Sequence, residues 1–395
     1  MRSNTSLTVV DVSSFFSTSC GGIKRYYQEK ARHLPALGVT CHFVVPGESD
    51  RDEPFFGGWL HHVAGPLQPG NAAYRRFSFS SRLPQLLRSL APDVVEVGSH
   101  YLLPTMVRRA FAASPRRPRL VGFFHSHPEQ IVQNVTAHLP RRLGTGWLGR
   151  RAWSFFARQH KSYASTFVAS RHIEAQLVSR RVPGVLRVGL GVDVQTFRPR
   201  PKAEGSPNVI YAGRFTIDKE LPLLLAAFDQ VHTRTGAGLT LVGDGPLKGR
   251  VRQHAASRPW MRVLDYVASV DDMARLLSES TAVVVPSQTE TFSFTTAEAL
   301  ASGVPVVGAD RGAVRELVED SGGGVLFKAG EARGLAHALE GLLAAPAGAR
   351  TAMGAAGRAH IVKDFTWPAV CERLRAAYDD VIHPGSSPAG ASAAP

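Results

Sequence analysis

Short apolar runs recur along the chain, and each is followed by a stretch in which apolar positions return every three or four residues. The runs are rich in Val, Ile and Leu and do not alternate with polar residues. They therefore predict strands buried on both faces of parallel sheets, with helices between them. Ten runs predict strands at 7–12, 41–46, 94–98, 120–125, 166–170, 208–213, 239–243, 263–267, 282–287 and 304–309.

The predicted strands form two series, separated by a segment without apolar periodicity. Residues 191–208 collect Pro, Gly and charge, which is typical of an interdomain linker, and we place the hinge near residues 193–207. The pattern predicts an α/β protein with two doubly wound parallel-sheet domains, and a chain of 395 residues is long enough for each to bury its own core. We expect an N-terminal domain over 1–195, a C-terminal domain over 196–382 and a disordered tail over 383–395.

The composition is that of an ordinary globular protein, with 44% apolar and 20% charged residues, and it excludes collagen-like and wholly disordered chains. Cys20, Cys41 and Cys371 are too few and too widely spaced for a disulfide framework or a zinc knuckle, which favours a reducing compartment. The first apolar run is too short for a signal peptide, and no run approaches the ~20 residues that span a bilayer. We therefore expect a cytoplasmic protein that is soluble or peripheral on the inner face of the membrane.

Charge is unevenly distributed between the two halves. Residues 1–200 hold 27 Lys and Arg against 11 Asp and Glu, a net charge of +16, whereas residues 201–395 hold 19 against 21, a net charge of −2. The basic half favours an anionic partner, whether a phosphate-bearing substrate, a nucleic acid or an acidic lipid surface. Because the sequence has no recognisable RNA-binding or DNA-binding module, we expect no nucleic acid.

A pair of glycines lies where the helix after the first strand is expected to begin. Glycines at Gly21 and Gly22 would let the backbone approach a phosphate at the positive end of that helix, although a plain tight turn would also explain them. The pair is neither a GxGxxG nor a Walker loop. Nicotinamide cofactors and P-loop chemistry are therefore disfavoured.

Two cations follow the strand at 208–213. Arg214 and Lys219 are placed at the mouth of a parallel strand, where they suit a diphosphate and can stabilise charge on a leaving nucleotide. The alternative is a pair of solvated surface cations.

Two carboxylates follow the strand at 282–287. Glu290 in the loop can accept hydrogen bonds from sugar hydroxyls, and the backbone N–H groups of Thr291, Phe292 and Ser293 can face an anion. Glu298 lies eight residues later in the next helix. Because Thr295 and Glu298 match the capping-box spacing, Glu298 has a structural alternative to a ligand role.

These elements, in this order, resemble the retaining glycosyltransferases of family 4, the group 1 enzymes of the GT-B fold, over almost the whole chain. The matching elements are Gly21-Gly22, Gly191-Val192-Asp193 with Phe197 and Pro199, Gly213-Arg214 with Lys219, the segment 242–246, the Glu290 and Glu298 pair, and the segment 301–305. The resemblance implies two Rossmann-like domains facing each other across a cleft. The acceptor would bind the N-terminal domain and the nucleotide sugar the C-terminal one, with the last helix packing back on the N-terminal domain.

The resemblance also implies a role for each matched residue. Arg214 and Lys219 would hold the donor diphosphate, Glu298 the ribose and Glu290 the hydroxyls of the transferred sugar. The other implied site residues are Gly21 and Gly22 in a loop closing over phosphates and acceptor, His125 against the donor sugar, and Val267, Thr291, Phe292 and Ser293 around the nucleotide. The resemblance assigns no protein nucleophile and no general base, and it implies that the leaving phosphate helps to take the acceptor proton. We expect no cofactor beyond the donor.

His125 and His127 are two residues apart, so on a strand they would share one face, which would allow a metal site. No third ligand is evident, and the family generally works without a metal. We expect no metal, and we expect His127 to be a packed or surface residue.

The sequence departs from the family pattern where glycine is usual, at Glu220, Thr291 and Ser293. The segments 20–30, 44–48 and 289–292 look most like the subgroup of GDP-mannose-dependent α-mannosyltransferases and sulfoquinovosyl-diacylglycerol synthases. The expected function is transfer of a hexose, with mannose from GDP-mannose first, to a lipid or glycan acceptor. The alternatives are a UDP-sugar-dependent glucosyl- or sulfoquinovosyltransferase, a non-catalytic scaffold and, remotely, a nucleic-acid-binding protein.

The segment 138–164 interleaves basic and bulky apolar residues. The basic ones are Arg141, Arg142, Arg150, Arg151, Arg158 and Lys161, and the apolar ones are Trp147, Leu148, Trp153, Phe155 and Phe156. This pattern suits an interfacial helix on anionic lipid, in which case the acceptor could be a phosphatidylinositol or a glycolipid. A helix packed on the core with a solvated basic face is the alternative.

Overall fold

The computed structural model describes residues 6–16, 22–68, 71–78, 82–135, 146–201 and 205–384. Gly21, Arg141 and Arg142 lie outside these ranges, as do residues 385–395 of the expected tail. The strands are β1 (Leu7–Val12), β2 (Val39–Gly47), β3 (Arg51–Phe55), β4 (Gly58–Ala64), β5 (Leu67–Gln68), β6 (Asn71–Arg75), β7 (Val94–Val97), β8 (Arg119–Phe123), β9 (Ser165–Val168), β10 (Val185–Arg187), β11 (Asn208–Ala212), β12 (Gly238–Val242), β13 (Met261–Leu264), β14 (Ala282–Val285), β15 (Val306–Ala309) and β16 (Gly324–Phe327).

Helices connect the strands in both halves of the chain. They are α1 (Gly22–His33), α2 (Arg82–Ser89), α3 (Leu103–Ala110), α4 (Pro128–Val135), α5 (Gly146–His160), α6 (Arg171–Val178), α7 (Leu221–Thr235), α8 (Lys248–Ala255), α9 (Val270–Glu279), α10 (Phe294–Ala301), α11 (Gly312–Ser321), α12 (Ala332–Ala344), α13 (Ala347–Asp364) and α14 (Trp367–Ile382). Within the described ranges no helix is long and apolar enough to cross a membrane.

The strands form two large sheets, as the two series of apolar runs predict. The first has the order β10-β9-β8-β7-β1-β2-β4-β3, and the second has the order β13-β12-β11-β14-β15-β16. All ten predicted strands are present, with ends shifted by a few residues. Among the parallel strands, the order of each sheet reverses once, between β7 and β1 in the first sheet and between β11 and β14 in the second. In doubly wound sheets the ligand crevice lies at this reversal, outside the carboxyl ends of the strands.

The expectation of purely parallel sheets is wrong at one edge. β3 pairs antiparallel with β4, and β5 pairs antiparallel with β6 in a separate two-stranded sheet. Arg51 and Asp52 on β3 are exposed to solvent. Charged side chains on an edge strand discourage pairing with another chain, and they also hide the strand from a search for apolar runs.

The last helix, α14, lies against the first sheet although it follows the second along the chain. A buried group of charged and phenolic side chains holds it there. Lys30 Nζ lies 2.8 Å from an Asp11 carboxylate oxygen, 3.1 Å from Glu96 Oε2 and 2.7 Å from Tyr378 Oη. Burial raises the pKa of Asp11, whereas the two carboxylates raise the pKa of Lys30 despite its burial. Because these groups come from α1, β1, β7 and α14, they fix the two helices on the sheet.

Candidate active site

The predicted donor residues lie at the point where the strand order of the second sheet reverses. Arg214 and Lys219 follow β11, and Glu290 follows β14. These loops leave the carboxyl ends of the two strands on either side of the reversal, where an α/β sheet binds its ligand.

An ion pair joins the two loops. Lys219 Nζ lies 2.5 Å from Glu290 Oε1, and both side chains are largely buried. Asp218 Oδ2 lies 3.7 Å from Arg214 Nη2 and 3.9 Å from Lys219 Nζ. Burial alone would raise the pKa of Asp218. The charge of Lys219 and hydrogen bonds from Thr216 and Gln130 to the Asp218 carboxylate lower that pKa below its ordinary value. The buried Asp218 carboxylate therefore lies close to both cations. Sequence analysis missed it because attention fell on Arg214 and Lys219, the two cations on either side of it in the chain.

The loop that carries Arg214 is fixed by a glycine in the next loop. Gly243 has φ +154°, and a Cβ there would lie 1.9 Å from the carbonyl oxygen of Gly213. The backbone N–H of Phe215 donates to Asp244 O at 2.8 Å. Only glycine permits so close an approach, so the segment 242–246 holds the cationic loop in place.

The loops that carry Asp218 and Glu290 are hydrogen-bonded to the first domain. Gln130 Nε2 in α4 donates to Asp218 Oδ2 at 2.6 Å, and Thr291 Oγ1 donates to the backbone oxygen of His125 at 3.2 Å. The loop after β8 therefore meets the loop that carries Glu290, so His125 and Glu290 belong to one cleft.

The His125 ring is stacked on Phe123, with centroids 4.0 Å apart and an interplanar angle of 8°. Tyr26 contacts it edge-on at 5.5 Å. Burial lowers the pKa of His125 to about 4, so the imidazole is neutral at physiological pH. A neutral ring can exchange hydrogen bonds with a sugar hydroxyl, but it carries no charge to give to a leaving group.

His125 and His127 do not share a strand face, which removes the metal-site alternative based on one. β8 ends at Phe123, so both histidines follow the strand instead of lying on it. His127 is buried, with Trp153 5.3 Å and His172 5.9 Å away between ring centroids, as expected for a packed residue. Across the residues that the structure describes, no three His, Cys, Asp or Glu side chains gather to hold a metal ion. The absence of a metal from the reaction stays a prediction.

The capping-box alternative for Glu298 is wrong. The residue before α10 is Ser293, and Thr295 lies inside the helix with its Oγ1 donating to Ala212 O at 3.0 Å. The Glu298 carboxylate instead pairs with Arg25 of α1. The side chain is therefore not used to cap its own helix, and sequence reasoning had no signal for Arg25.

Two departures from the family pattern have a backbone cause. Glu220 has φ +53° and Ser293 has φ +67°, a left-handed conformation that glycine adopts without strain. At such positions an L-residue costs about 1–2 kcal/mol. The usual glycines of the family therefore correspond to a real conformational demand that this chain meets with larger residues.

The remaining residues predicted to bind the nucleotide differ in their surroundings. Gly22 begins α1, and a Cβ there would lie 3.0 Å from a ring carbon of Phe294 at the start of α10. The ring of Phe292 is buried and packs near Phe365, which leaves only its backbone for a ligand. Val267 follows β13 and packs against the buried apolar cluster. The part of Val267 in the nucleotide site stays a prediction.

Helix α5 presents two faces of opposite character. Trp153 and Phe156 are buried against the first sheet, so part of the helix packs on the core. The outward face is basic and aromatic, with Trp147 49% and Phe155 43% exposed. The exposed basic side chains on and just after the helix are Arg150, Arg151, Arg158 and Lys161. We name this outward face of α5 the basic aromatic face. None of its cations forms an ion pair with any other residue in the described ranges.

Two sequence models of known families match the chain in succession. Residues 20–196 match the model described as Glycosyltransferase Family 4, and residues 206–345 match the model described as Glycosyl transferases group 1. The chain belongs to the group 1, family 4 glycosyltransferases. The expected enzyme class is therefore confirmed.

This glycosyltransferase has relatives in both branches of the expected subgroup. The GDP-mannose-dependent alpha-mannosyltransferase of Mycolicibacterium smegmatis is 26% identical over 95% of this chain and 98% of that relative. The sulfoquinovosyl transferase SQD2 of Arabidopsis thaliana is 27% identical over 90% of this chain and 69% of that relative.

Solved structures confirm the GT-B fold. Sucrose-phosphate synthase from Thermosynechococcus elongatus superposes with a TM-score of 0.74 at 20% identity, covering 95% of this chain and 99% of that one. Anabaena HepE in complex with UDP-glucose superposes with a TM-score of 0.71 at 15% identity, covering 95% and 100%.

Proposed function

We propose that this glycosyltransferase is a retaining α-mannosyltransferase that moves mannose from GDP-mannose to a lipid or glycan acceptor. The observation that carries the proposal is the pair formed by Lys219 and Glu290 beside Arg214, with the His125 loop bonded to the Glu290 loop across the cleft. The similarity to mannosyltransferases over 95% of the chain supports GDP-mannose as the donor.

The proposed donor extends along the reversal point of the second sheet. Its diphosphate binds Arg214, which is exposed, and Lys219, which is held by two carboxylates. Glu298 accepts from the ribose and Glu290 from the mannose hydroxyls. His125, neutral because of its burial, bonds the mannose from the opposite domain.

In the proposed step, the bond between mannose C1 and the phosphate oxygen breaks, and C1 bonds the acceptor oxygen on the same face. The acceptor proton moves to the leaving phosphate oxygen, which leaves GDP and an α-mannoside. Charge accumulates on the diphosphate as the bond breaks, and fixed cations such as Arg214 and Lys219 stabilise such charge more in the transition state than in the ground state.

We place the acceptor side at an anionic membrane surface. The basic aromatic face of α5 supports this placement, since Arg150 and Arg158 can meet phosphate headgroups while Trp147 and Phe155 enter the interface. A lipid acceptor would then reach the cleft from the surface to which the enzyme is bound.

A second candidate is a sulfoquinovosyltransferase that uses a UDP-sugar donor. The identity to SQD2 favours it, and the same cations and carboxylates would serve that donor. The two candidates differ in the nucleotide base and the sugar.

A donor comparison tests the proposal. Purified protein is incubated with GDP-mannose, UDP-glucose or UDP-sulfoquinovose and with vesicles that contain phosphatidylinositol and glycolipid, and nucleotide release and the anomer of the product are measured. GDP release with an α-linked mannolipid is the expected result. Preferred use of UDP-sulfoquinovose would establish the second candidate, and turnover of none of the donors would contradict both.

A further inference from the structure

A side chain of the first domain pairs with the carboxylate that is proposed to bind the ribose. Arg25, in the first turn of α1, forms an ion pair with Glu298 of α10, and the two side chains are 29% and 10% exposed. The two residues are 273 positions apart in the chain. The contact therefore connects the helix after the glycine loop directly to the helix beside the donor site.

Two aromatic rings orient the Arg25 guanidinium. Its central carbon lies 5.8 Å from the ring centroid of Phe197 and 5.7 Å from that of Phe294. Such cation–π contacts hold the planar group in one direction. The first turn of α1 is also close to Phe294, because a Cβ at Gly22 would nearly touch that ring. These contacts hold the Arg25 side chain in one orientation.

Arg25 opposes the effect of burial on Glu298. Burial raises the pKa of Glu298 above its ordinary value, and the charge and hydrogen bond of Arg25 offset part of that rise. Asp193 of the hinge lies within electrostatic range of Arg25. Arg358 of α13 directs its guanidinium to the backbone oxygens of Phe197 and Ala301. Within the part of the chain that the structure describes, Arg25 is the cation paired with Glu298.

The contact leaves half of the carboxylate available. Arg25 Nη1 donates to Oε1 of Glu298, and no described residue donates to Oε2. We infer that Arg25 is a donor-positioning residue, which holds the Glu298 carboxylate in the orientation in which Oε2 accepts a hydrogen bond from the nucleotide ribose. The inference rests on the proposed function, since it takes Glu298 as the ribose ligand.

Removal of Arg25 should cause a pH-dependent loss of nucleotide affinity, which would not follow if Arg25 only stabilised the fold. In Arg25→Ala the buried carboxylate loses its cation, takes up a proton more readily and becomes a poorer acceptor. Nucleotide affinity at pH 7 should fall about tenfold, the equivalent of 1.4 kcal/mol. The loss should shrink as pH rises, because Glu298 ionises again, and Arg25→Lys should restore much of the affinity.

Calorimetry of nucleotide binding tests the inference. GDP, UDP and ADP are first compared on the wild-type protein, and the tightest binder is then titrated into each variant at pH 6, 7, 8 and 9. The control is Arg32→Ala, which removes an arginine from the same helix that pairs with Glu29 instead. Each dissociation constant is expressed as a ratio to wild type at the same pH, which removes titration of the nucleotide itself.

The expected result is a ratio of about ten for Arg25→Ala at pH 7 that falls at least threefold by pH 9, with a ratio near one for Arg32→Ala. Glu298→Gln should weaken binding at all pH values, and adding Arg25→Ala to it should change affinity by less than twofold. A pH-independent ratio, or losses that multiply in the double variant, would overturn the inference. Wild-type binding with an unchanged Arg25→Ala variant would overturn this inference alone, whereas a wild-type protein that binds no nucleotide would overturn the proposed function as well.

Discussion

Lys219 Nζ and Glu290 Oε1 lie 2.5 Å apart, across the point where the strand order of the second sheet reverses. The ammonium proposed for the donor diphosphate is thus held by the carboxylate proposed for the donor sugar. Neither side chain has to be reoriented through solvent before the donor binds, and preorganised charge of this kind is the largest contributor to many enzymatic rates. The diphosphate and the sugar would occupy adjacent positions along this ion pair.

Lys219→Ala should reduce transfer by about 100-fold or more, the usual effect of removing one preorganised donor from a site of developing charge. Lys248→Ala is the matched control, because that lysine is in the same domain and pairs with Asp244 and Asp265 at the surface. Steady-state rates and unfolding midpoints of both variants are compared with wild type. A Lys219→Ala rate within threefold of wild type would remove this lysine from the donor site.

Glu290→Gln should separate sugar recognition from nucleotide binding. The amide keeps the size of the side chain but loses the charge that pairs with Lys219 and accepts from hydroxyls. We expect transfer to fall about 100-fold, while the affinity for the free nucleoside diphosphate changes less than threefold. Titration calorimetry with GDP and a rate assay with GDP-mannose measure the two effects. An equal loss of GDP affinity would show that Glu290 acts on the diphosphate through Lys219 and not on the sugar.

The basic aromatic face should bind anionic vesicles. Each cation near a charged membrane contributes about 1 kcal/mol, so replacing Arg150, Arg151 and Arg158 by Ala should weaken vesicle binding about 100-fold. Sedimentation with vesicles of phosphatidylserine and phosphatidylcholine measures the change. Replacement of the exposed Arg250, Arg262 and Arg333 of the second domain gives the same change in net charge as a control. Equal losses in both triple variants, or binding that salt does not weaken, would contradict a specific membrane face.

The sequence predicts the two sheets well because their strands are continuous apolar runs. β11 and β14 are such runs, and the residues that follow them lie at the sheet edge whatever the detailed packing. Arg214, Lys219 and Glu290 could therefore each be placed at a strand end without a structure, and the family resemblance assigned them to one donor. β3 could not be found in this way, because its residues are charged and its partner strand carries two histidines.

Contacts between the domains could not be predicted from the sequence, for a different reason. Arg25 and Glu298, or Gln130 and Asp218, meet only because two separately folded domains dock in one orientation. No local pattern records that orientation. The conformation at Ser293 was likewise unpredictable from propensity, since serine seldom adopts a positive φ.

Buried histidines should make the protein less stable in mild acid. Burial lowers the pKa of His127 to about 3, whereas an unfolded histidine titrates near 6.5. Between pH 3 and 6.5, His127 is protonated in the unfolded chain but neutral in the folded chain. The free energy of unfolding therefore falls as pH drops below about 6.5.

The His127→Phe variant isolates that contribution, because a phenyl ring can keep the contacts with Trp153 and His172. Urea unfolding at pH 7 and pH 5 should show a smaller loss of stability in the variant, by about 2 kcal/mol, which is 1.5 pH units at ~1.4 kcal/mol each. The same pH-dependent loss in both proteins would contradict a neutral, buried His127.

Nucleotide binding tests the central claim most directly, and it needs no acceptor. Thermal unfolding of the wild-type, Lys219→Ala and Lys248→Ala proteins is measured with GDP, UDP and ADP at matched millimolar concentrations. GDP should stabilise the wild-type and Lys248→Ala proteins most, by about 2.7 kcal/mol at 100 times its dissociation constant, and Lys219→Ala far less. Stabilisation by UDP in preference to GDP would contradict the GDP-mannose assignment, and no stabilisation by any of the three would contradict a donor site built on Arg214, Lys219 and Glu298.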